Sequence, residues 1–387
     1  MNLKPTVKVS RRVAEIGREA WDACALNPDY AANPFVMFDF LDSVEVSGCA
    51  VERQGWGSQH LSLEDEAGDV AAVMPLYLKS HSQGEYIFDH AWADAYERAG
   101  GRYYPKLLCA APFTPATGPR LLVRPDIERE AAWDLLLGGA TRLCEQYGAS
   151  SLHINFPTDA EWSWLGTQGL AMREGQQYHW YNQGYPDFDA FLEQLSSGRR
   201  KTIRRERRDA LAEVEVVALT GADLKEEHWD AFYAFYMDTG SRKWGHPYLN
   251  RAFFSELGSR MADRVLLLMA RRQDRWVAGA LNLIGDDCLY GRNWGCLEDI
   301  PFLHFELCYY QAIDWAIERG LARVEAGAQG QHKIARGYLP TPVRSAHYIA
   351  DPRLRGPVEE FVRRERAAVE GEMEWLAEEY SPFRKGR

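Results

Sequence analysis

The sequence predicts an α/β protein in which two similar domains each contain a mixed central sheet flanked by helices. The clearest pattern lies in residues 276–340, where strand-like runs at 277–284 and 289–294 precede an amphipathic segment at 302–319 and a third strand-like run at 322–326. In such a β-β-α-β unit the start of the helix and the ends of the strands face one crevice, where exposed backbone N–H groups can bind a phosphate or an oxyanion. We therefore interpret the rest of the chain as support for that crevice.

Two pairs of similar segments indicate an internal duplication. The run VAAVMPL at 70–76 is similar to VAGALNL at 277–283, and ATRLCEQYGASSLHIN at 140–155 is similar to AIDWAIERGLARVEAG at 312–327. Both longer segments have the pattern of a helix, a glycine cap and a strand, and the two pairs follow the same order along the chain. This pattern favours two similar α/β domains, with chance similarity between two common supersecondary units as the alternative.

The first predicted domain, residues 1–178, contains a long aromatic loop. Helices are predicted at 13–24, 37–46, 128–147 and 159–165, and strands at 60–64, 69–78, 150–156 and 172–181. Residues 81–119 are rich in Gly, Pro, Tyr and Trp, which favours a ligand-facing loop inserted into the domain; a packed surface excursion is the alternative.

The second predicted domain comprises residues 179–351. It contains an aromatic helical pattern at 229–237, a helix at 253–261 and a buried strand at 264–271 that leads into the β-β-α-β unit. Residues 352–387 predict a charged helix that braces one of the domains, and we assign it no chemistry.

A strongly basic segment connects the two predicted domains. Its seven positive charges within ten positions of a predicted helix are Arg199, Arg200, Lys201, Arg204, Arg205, Arg207 and Arg208. At 100° per residue these charges cover more than one face, so one side can pack or pair with acidic residues while another presents a cationic ridge. A solvated charged helix and an anion-binding helix both fit this pattern.

Composition limits the classes of protein that the chain can represent. The 387 residues are 46% hydrophobic and 26% charged, as in soluble globular proteins, and the net charge of −11 argues against a surface devoted to nucleic acid or acidic membranes. No run of about 18 apolar residues is present, and the N-terminus carries charges without an apolar region, so we expect a cytoplasmic protein without membrane insertion. The seven cysteines are scattered and never form C-x-x-C, which favours reduced thiols and predicts no metal site.

Four segments carry a resemblance to a known family: RKWGHPYLNRAFF, LYGRNWG, FLHFELCYYQAIDWAIERGL and EAGAQGQHKIARGYLP. Together they resemble the FemAB-like branch of the GNAT acyltransferase superfamily, a group of N-acyltransferases associated with peptidoglycan biosynthesis. The resemblance implies two tandem GNAT-like domains and transfer of an acyl group from an acyl-CoA or aminoacyl-tRNA to an amine. The chain departs from the GNAT pattern at residues 297–304, where LEDIPFLH replaces the glycine-containing phosphate loop.

Candidate catalytic residues follow from what acyl transfer to an amine requires: a neutral nucleophile, stabilisation of the oxyanion and protonation of the leaving group. We predict that Glu325, on the third strand of the unit, is a general base, with a structural carboxylate paired to an arginine as the alternative. Tyr290 and Arg292 alternate along their strand, so both are expected on one side, with Tyr290 protonating the leaving group and Arg292 orienting a carboxylate.

Two segments supply candidate binding residues. The glycine-rich loop after the third strand is suited to a phosphate or carboxylate, and with the start of the helix it gives the predicted donor-binding set His304, Gln329, Gly330, His332, Lys333 and Arg336. A metal pair of His304 and Cys308 lacks further ligands. The predicted substrate wall is Arg242, Lys243, Trp244, His246 and Tyr248, together with Arg292 and Trp294.

The sequence thus favours an N-acyltransferase that acts on a small-molecule amine by direct attack, with the segment Arg199 to Arg208 binding tRNA if the donor is an aminoacyl-tRNA. A non-catalytic GNAT-like module that binds a metabolite or a protein partner is the alternative, and the missing phosphate loop favours it. The sequence names neither the donor, the acceptor nor the oligomeric state.

Overall fold

The structure, a computed structural model, describes residues 3–243, 247–328 and 330–384. Its strands are β1 (Leu3–Ser10), β2 (Trp56–Ser58), β3 (His60–Asp65), β4 (Val70–Met74), β5 (Leu76–Lys79), β6 (Lys106–Cys109), β7 (Leu122–Val123), β8 (Ser151–Asn155), β9 (Ala171–Tyr181), β10 (Glu215–Leu219), β11 (Val265–Arg272), β12 (Arg275–Ile284), β13 (Cys288–Cys296), β14 (Arg323–Glu325) and β15 (Leu339–Ile349). Its α-helices are α1 (Arg18–Ala25), α2 (Phe38–Val46), α3 (His90–Arg98), α4 (Arg129–Gln146), α5 (Asp159–Thr167), α6 (Phe188–Gln194), α7 (Ser197–Leu211), α8 (Glu226–Lys243), α9 (Arg251–Arg260), α10 (Leu303–Phe305), α11 (Gln311–Glu318) and α12 (Pro352–Glu379).

Contacts divide the chain into two compact units that differ from the predicted domains. Unit 1 comprises residues 1–175 and 342–370, and unit 2 comprises 176–341 and 371–387. The prediction assigned residues 342–351 to the second domain, but β15 pairs antiparallel with β8, which places this segment in unit 1. The predicted C-terminal helix, α12, is also divided: Val362 lies in a core cluster of unit 1 and Leu376 in the main core cluster of unit 2.

Unit 1 contains two sheets. The smaller one has the antiparallel order β1-β3-β4-β7, and its edge strand β1 was not predicted, although Val7 and Val9 alternate with Lys8 and Ser10 as in a half-exposed strand. The second has the order β15-β8-β6-β5-β2, in which β6 and β8 are parallel. The prediction of an uninterrupted loop at 81–119 was wrong, because this segment contains α3 and the buried strand β6 in the middle of that sheet.

The two helix–glycine–strand segments noted in the sequence form the same structure in the two units. Gly148 follows α4 with φ of 58° and Gly320 follows α11 with φ of 66°, a left-handed conformation that favours glycine. In each case the next residue donates its N–H to a carbonyl five residues earlier, from Ala149 to Cys144 and from Leu321 to Ala316. The strand that follows then pairs in parallel with an earlier strand, β8 with β6 and β14 with β13.

Unit 2 contains the predicted β-β-α-β unit within a sheet of order β10-β11-β12-β13-β14-β9. Strand β11 is apolar and buried on both faces over Val265–Ala270, as expected for a strand covered on both sides. One face of this sheet packs against α6, α7 and the helical segment 303–318. Leu289, Val324 and Trp180 lie in the core between them. Within the described ranges of the chain, no helix is both long and apolar enough to cross a membrane.

Candidate functional site

The candidate site in unit 2 lies where the pairing of β13 with β14 ends. These strands pair in parallel only from Cys288 with Arg323 to Tyr290 with Glu325, whereas β13 continues to Cys296. A Cβ atom at Gly291 would lie 3.3 Å from the Glu325 carbonyl oxygen, so glycine allows the two strands to approach closely at this point. Beyond it, β13 and the segment after Glu325 no longer pair in the described part of the chain.

A β-bulge changes which side chains of β13 share a face. Leu281 of β12 pairs with Asn293, but the next residue, Asn282, pairs with Gly291. Arg292, between them, is therefore the additional residue of the bulge. Leu289 and Trp294, five residues apart, consequently both contact the helix-side core, which strict alternation forbids. The alternation from which we expected Tyr290 and Arg292 on one side therefore does not hold.

Glu325 is buried, and its two carboxylate oxygens have different surroundings. Oε1 accepts a hydrogen bond of 3.1 Å from Nε of Arg323, which is the arginine pairing of the structural alternative. Oε2 is buried without a hydrogen bond among the described residues and lies 4.0 Å from Nε2 of His179. Burial lowers the pKa of His179, against the opposing charge of Glu325, so the imidazole is neutral near pH 7.

Tyr290 lies beside Glu325 in the parallel pair and is 3% exposed. Burial raises the pKa of its phenol well above the ordinary value, and the neighbouring Cys288 and Glu325 act in the same direction. The side chain therefore keeps its proton at every pH near neutrality, so the hydroxyl can donate a hydrogen bond or a proton.

Lys333 occupies an interior position in the predicted phosphate-binding loop. Its ammonium group donates a hydrogen bond of 2.9 Å to the carbonyl of Gly327, and burial lowers its pKa from 10.5 to about 8. Gly330 has a φ of 115°, and a Cβ there would lie 2.6 Å from the His332 ring, so this position requires glycine. Lys333 thus holds the loop from inside.

An aromatic cluster forms between the start of the helix and this loop. The ring of His304 lies 5.2 Å from Trp294 and 6.2 Å from His332. The hydroxyl of Tyr309 is 2.9 Å from Nε2 of His332, an imidazole on the exposed side of the cluster. The structure therefore brings two predicted donor-binding histidines and one predicted substrate-binding tryptophan together.

Arg336 lies next to the cluster, and its positive charge is paired with the carboxylate of Glu206. Its guanidinium carbon is 3.4 Å from the centroid of the Phe305 ring, and Nη2 donates to both carboxylate oxygens of Glu206 at 3.1 and 3.0 Å. Glu206 also accepts a hydrogen bond from the hydroxyl of Tyr310. Arg336 thus joins the loop to α7, a pairing across 130 residues that the sequence did not reveal.

A π-helical segment, Glu306–Tyr310, separates α10 from α11 and was also not predicted. Such segments are frequent at functional sites because the additional residue redirects side chains. Here it buries Glu306, which accepts hydrogen bonds from Arg207 of α7 and from Gln311. The only sequence signal is a charged residue within an apolar stretch of the helical pattern.

The basic helix α7 has an inner and an outer side. Ile203, Glu206 and Ala210 are buried, and Arg207 pairs with Glu306 and Asp314. On the outer side, Arg204 and Arg208 pair with Asp189 and Asp209, whereas the exposed residues without an ion pair in the described part of the chain are Arg199, Lys201 and Arg205. These three cations are the part of the predicted ridge that is available to an anion.

The predicted substrate wall is only partly described. Arg242 donates a hydrogen bond of 2.9 Å from Nη2 to the carbonyl of Cys296, which brings the end of α8 to the end of β13. Tyr248 is 40% exposed. Trp244, His246 and Gln329 lie outside the described residues, as does the side chain of Lys243.

Unit 1 holds a buried polar cluster that sequence reasoning missed. The ammonium of Lys106 donates to Ser82 at 2.8 Å, to Glu85 at 2.7 Å and to Asp89. Burial lowers the pKa of the nearby Lys79 to about 7 and raises that of Glu85 to about 7. Lys79, Ser82, Glu85 and Asp89 lie within residues 79–89 and Lys106 on β6, and their spacing along the chain matches no pattern that predicts this contact. In the ranges that the structure describes, no group of three or more His, Cys, Asp or Glu side chains is arranged to hold a metal ion.

The two α/β units, in which sheet strands are flanked by helices, confirm the predicted α/β fold class. The family model called FemAB-like, described as peptidoglycan biosynthesis and recognition, matches residues 12–385, so the chain belongs to the FemAB-like family.

Solved structures agree with this fold. The crystal structure of FemX superposes with a TM-score of 0.55 at 12% identity, covering 93% of this chain and 100% of that one. A conserved protein of unknown function from Bacteroides thetaiotaomicron gives 0.53 at 10% identity, covering 88% and 99%. The C-terminal domain of a protein from Agrobacterium fabrum named for lysylphosphatidylglycerol synthetase gives 0.52 at 9% identity, covering 92% and 97%. No curated protein matches the sequence.

Proposed function

We propose that this protein transfers an acyl or aminoacyl group from an activated donor to an amine of a peptidoglycan precursor by direct attack. Membership of the FemAB-like family supports the reaction class and the acceptor. The observation that carries the proposal is Oε2 of Glu325, a buried carboxylate oxygen without a hydrogen bond among the described residues, at the end of the β13–β14 pair. A buried acceptor atom without a partner is costly unless a ligand or a reaction uses it.

The proposed chemistry divides proton transfer between two neighbouring residues. The acceptor amine must be neutral to attack, so its ammonium form gives a proton to Oε2 of Glu325. The amine nitrogen then bonds to the donor carbonyl carbon, and the bond from that carbon to the thioester sulfur or the tRNA ester oxygen breaks. The phenol of Tyr290 gives its proton to the leaving sulfur or oxygen and takes up the second proton of the attacking nitrogen as the amide forms, and Glu325 releases its proton to solvent.

Among the two donors, the charge on α7 favours aminoacyl-tRNA. Arg199, Lys201 and Arg205 are exposed on one helix of an otherwise acidic protein, and such a ridge attracts a polyphosphate backbone. The segment at the start of the helical region lacks the glycine-containing loop that would favour coenzyme A. We propose that the cluster of His304, His332 and Trp294 binds the terminal adenosine by stacking.

The acceptor would then approach from the end of β13. Arg242 is positioned there by its bond to Cys296, and Arg292 extends from the bulge. We propose that Arg292 and Arg242 bind a carboxylate of the precursor peptide, and that Tyr248 also contacts the acceptor.

Transfer assays test the proposal. Purified protein is incubated with a mixture of aminoacyl-tRNAs or with acyl-CoA thioesters, and with muramyl peptides that carry a free amine, and the peptides are analysed by mass spectrometry. A mass increase equal to one aminoacyl or acyl residue, dependent on donor and enzyme, supports the proposal. Binding of the muramyl peptide without transfer from any donor would instead favour a non-catalytic module, the class that the missing phosphate loop suggests.

A further inference from the structure

A pocket in unit 1 lies apart from the proposed active site and is lined mostly by apolar side chains. It is formed between α3 and α12 next to the start of β8, and it encloses about 160 Å³. Its apolar lining includes Trp92, Tyr96, Ile349, Leu354, Val358 and Phe361. A dry apolar cavity of about 150 Å³ in another protein accommodates benzene, so this volume suits a single small ring.

Four residues of the lining carry a hydroxyl group: Tyr96, which is half-buried on α3, and the buried residues Tyr103, Ser150 and Ser151. The hydroxyl of Tyr103 donates its hydrogen to Asp89 at 2.6 Å, and that of Ser150 donates to the carbonyl of Tyr103. A hydroxyl has one hydrogen and two lone pairs. Tyr103 and Ser150 therefore have only lone pairs left for a ligand.

A hydrogen-bonded chain of two histidines determines where the hydroxyl hydrogen of Ser151 is donated. Oγ of Ser151 lies 2.7 Å from Nε2 of His153, Nδ1 of His153 lies 2.6 Å from Nδ1 of His347, and Nε2 of His347 lies 2.8 Å from Oγ of Ser345. Because both imidazoles are buried and share the Nδ1 contact, only one of these two nitrogens carries a hydrogen.

Both possible arrangements use the hydrogen of Ser151 inside the protein. If Nδ1 of His153 carries the shared hydrogen, its Nε2 is an acceptor, and Ser151 donates to it. If Nδ1 of His347 carries it, Nε2 of His153 donates to Ser151, whose hydrogen then points to Ser150 at 3.2 Å. Nε1 of Trp92 is buried by protein atoms.

From this hydrogen-bond arrangement we propose that the pocket binds a small, uncharged, mostly apolar molecule that carries one hydrogen-bond donor, of the size and type of a phenol. The hydroxyl oxygen of Ser151 accepts the hydrogen bond from the ligand, and the apolar walls enclose its ring. A charged ligand is excluded because the lining offers no counter-charge to replace its hydration. This site is independent of the proposed transferase reaction.

The test uses three fluorinated rings with the full-length protein and measures binding by fluorine NMR. 4-Fluorophenol has a donor, 4-fluoroanisole has the same oxygen without a donor, and fluorobenzene has neither. We expect 4-fluorophenol to bind about 3- to 10-fold more tightly than the other two, the usual contribution of one hydrogen bond. Equal affinity of the three rings, or no binding of 4-fluorophenol, overturns the proposal, and this comparison needs no variant.

Variants then locate the site. Ser151→Ala is expected to bring 4-fluorophenol to the affinity of fluorobenzene, whose own binding stays unchanged. Ala95→Leu, on the exposed side of the pocket wall, should abolish binding of all three rings by filling the space. Ala99→Leu places the same side chain four residues further along, outside the lining, and should bind as the unmodified protein does. Unchanged 4-fluorophenol binding in both Ser151→Ala and Ala95→Leu would contradict the assignment.

Discussion

The carboxylate of Glu325 lies opposite His179 in the antiparallel pair of β14 and β9, with Oε2 4.0 Å from Nε2 of the imidazole. The imidazole contacts the side-chain oxygen of Gln177 at 3.2 Å, and burial lowers its pKa. A neutral imidazole at this distance does not neutralise the carboxylate. Glu325 therefore has Arg323 on one oxygen and a free acceptor position on the other, which is the arrangement that a base for an incoming ammonium group needs.

Replacement of Glu325 by Gln should remove the proposed base while keeping the size of the side chain. We expect kcat to fall at least about 100-fold, as is typical when a general base is lost, while the dissociation constant of the muramyl peptide changes little. Steady-state transfer rates and calorimetric binding measure the two quantities. Glu318→Gln, at an exposed position of α11, is the matched control; an equal loss in both variants would rule out a specific role of Glu325.

The Tyr290→Phe variant tests the proposed proton donor. It removes one hydroxyl from a fully packed position and should lower kcat by about 10- to 100-fold. The decrease in kcat should be smaller with a donor whose leaving group is a weaker base, because that group needs less protonation to depart. Rates with ester and thioester donors measure this dependence, and a loss that is identical for all donors would point to packing alone.

The buried amine of Lys333 makes a pH-dependent contribution to stability. Its pKa is lowered from 10.5 to about 8, so between these values the unfolded chain binds a proton that the folded protein does not. Stability from this group therefore rises with pH across that window, by about 3 kcal/mol in total. In Lys333→Met this contribution is absent, so its free energy of unfolding relative to the unmodified protein should decline as the pH rises from 8 to 10.5.

Denaturant unfolding at several pH values checks that trend. Lys201→Met, at an exposed position of α7, should show a difference that does not depend on pH. A flat difference for Lys333→Met would show that burial does not lower the pKa of this amine.

The ion pairs of Arg207 should stabilise unit 2 because its partner Glu306 is fully buried. Arg207→Ala leaves that carboxylate without its cation and should lower the free energy of unfolding by about 3 kcal/mol. Arg205→Ala, two residues away and exposed, should change it by less than about 0.5 kcal/mol. Urea unfolding distinguishes them; similar losses would mean that the inner and outer sides of α7 are not separated as described.

The outer side of α7 should determine the salt dependence of tRNA binding. Replacing Arg199, Lys201 and Arg205 together by Gln should weaken binding and reduce the slope of log K against log salt concentration by about 2. Filter binding at several salt concentrations measures this slope. A matched triple variant on α12, at Arg353, Arg363 and Arg364, should leave it unchanged; equal effects of the two variants would indicate non-specific attraction.

The sequence predicted the local architecture well and the site only in part. The strands and helix of residues 276–340 could be located because each is defined by its own periodicity, which adjacent residues express. The bulge at Arg292 and the π-helical segment at Glu306 could not be located from the sequence. Each adds one residue to a strand or helix, and no characteristic residue type marks the added position. The pairing of Arg336 with Glu206 and the histidine pair His153 and His347 depend on contacts between segments far apart in the chain.

The most direct test of the proposed transferase is a single-turnover experiment with pre-bound aminoacyl-tRNA and a muramyl peptide, comparing the unmodified protein with Glu325→Gln across pH. The account predicts rapid transfer of one aminoacyl residue to the peptide amine in the unmodified protein. In the variant, transfer should be slow and should recover as the pH rises, because free hydroxide and the neutral amine then replace the missing base. Absence of transfer by the unmodified protein from every donor, or equal rates in the two proteins at every pH, would contradict it.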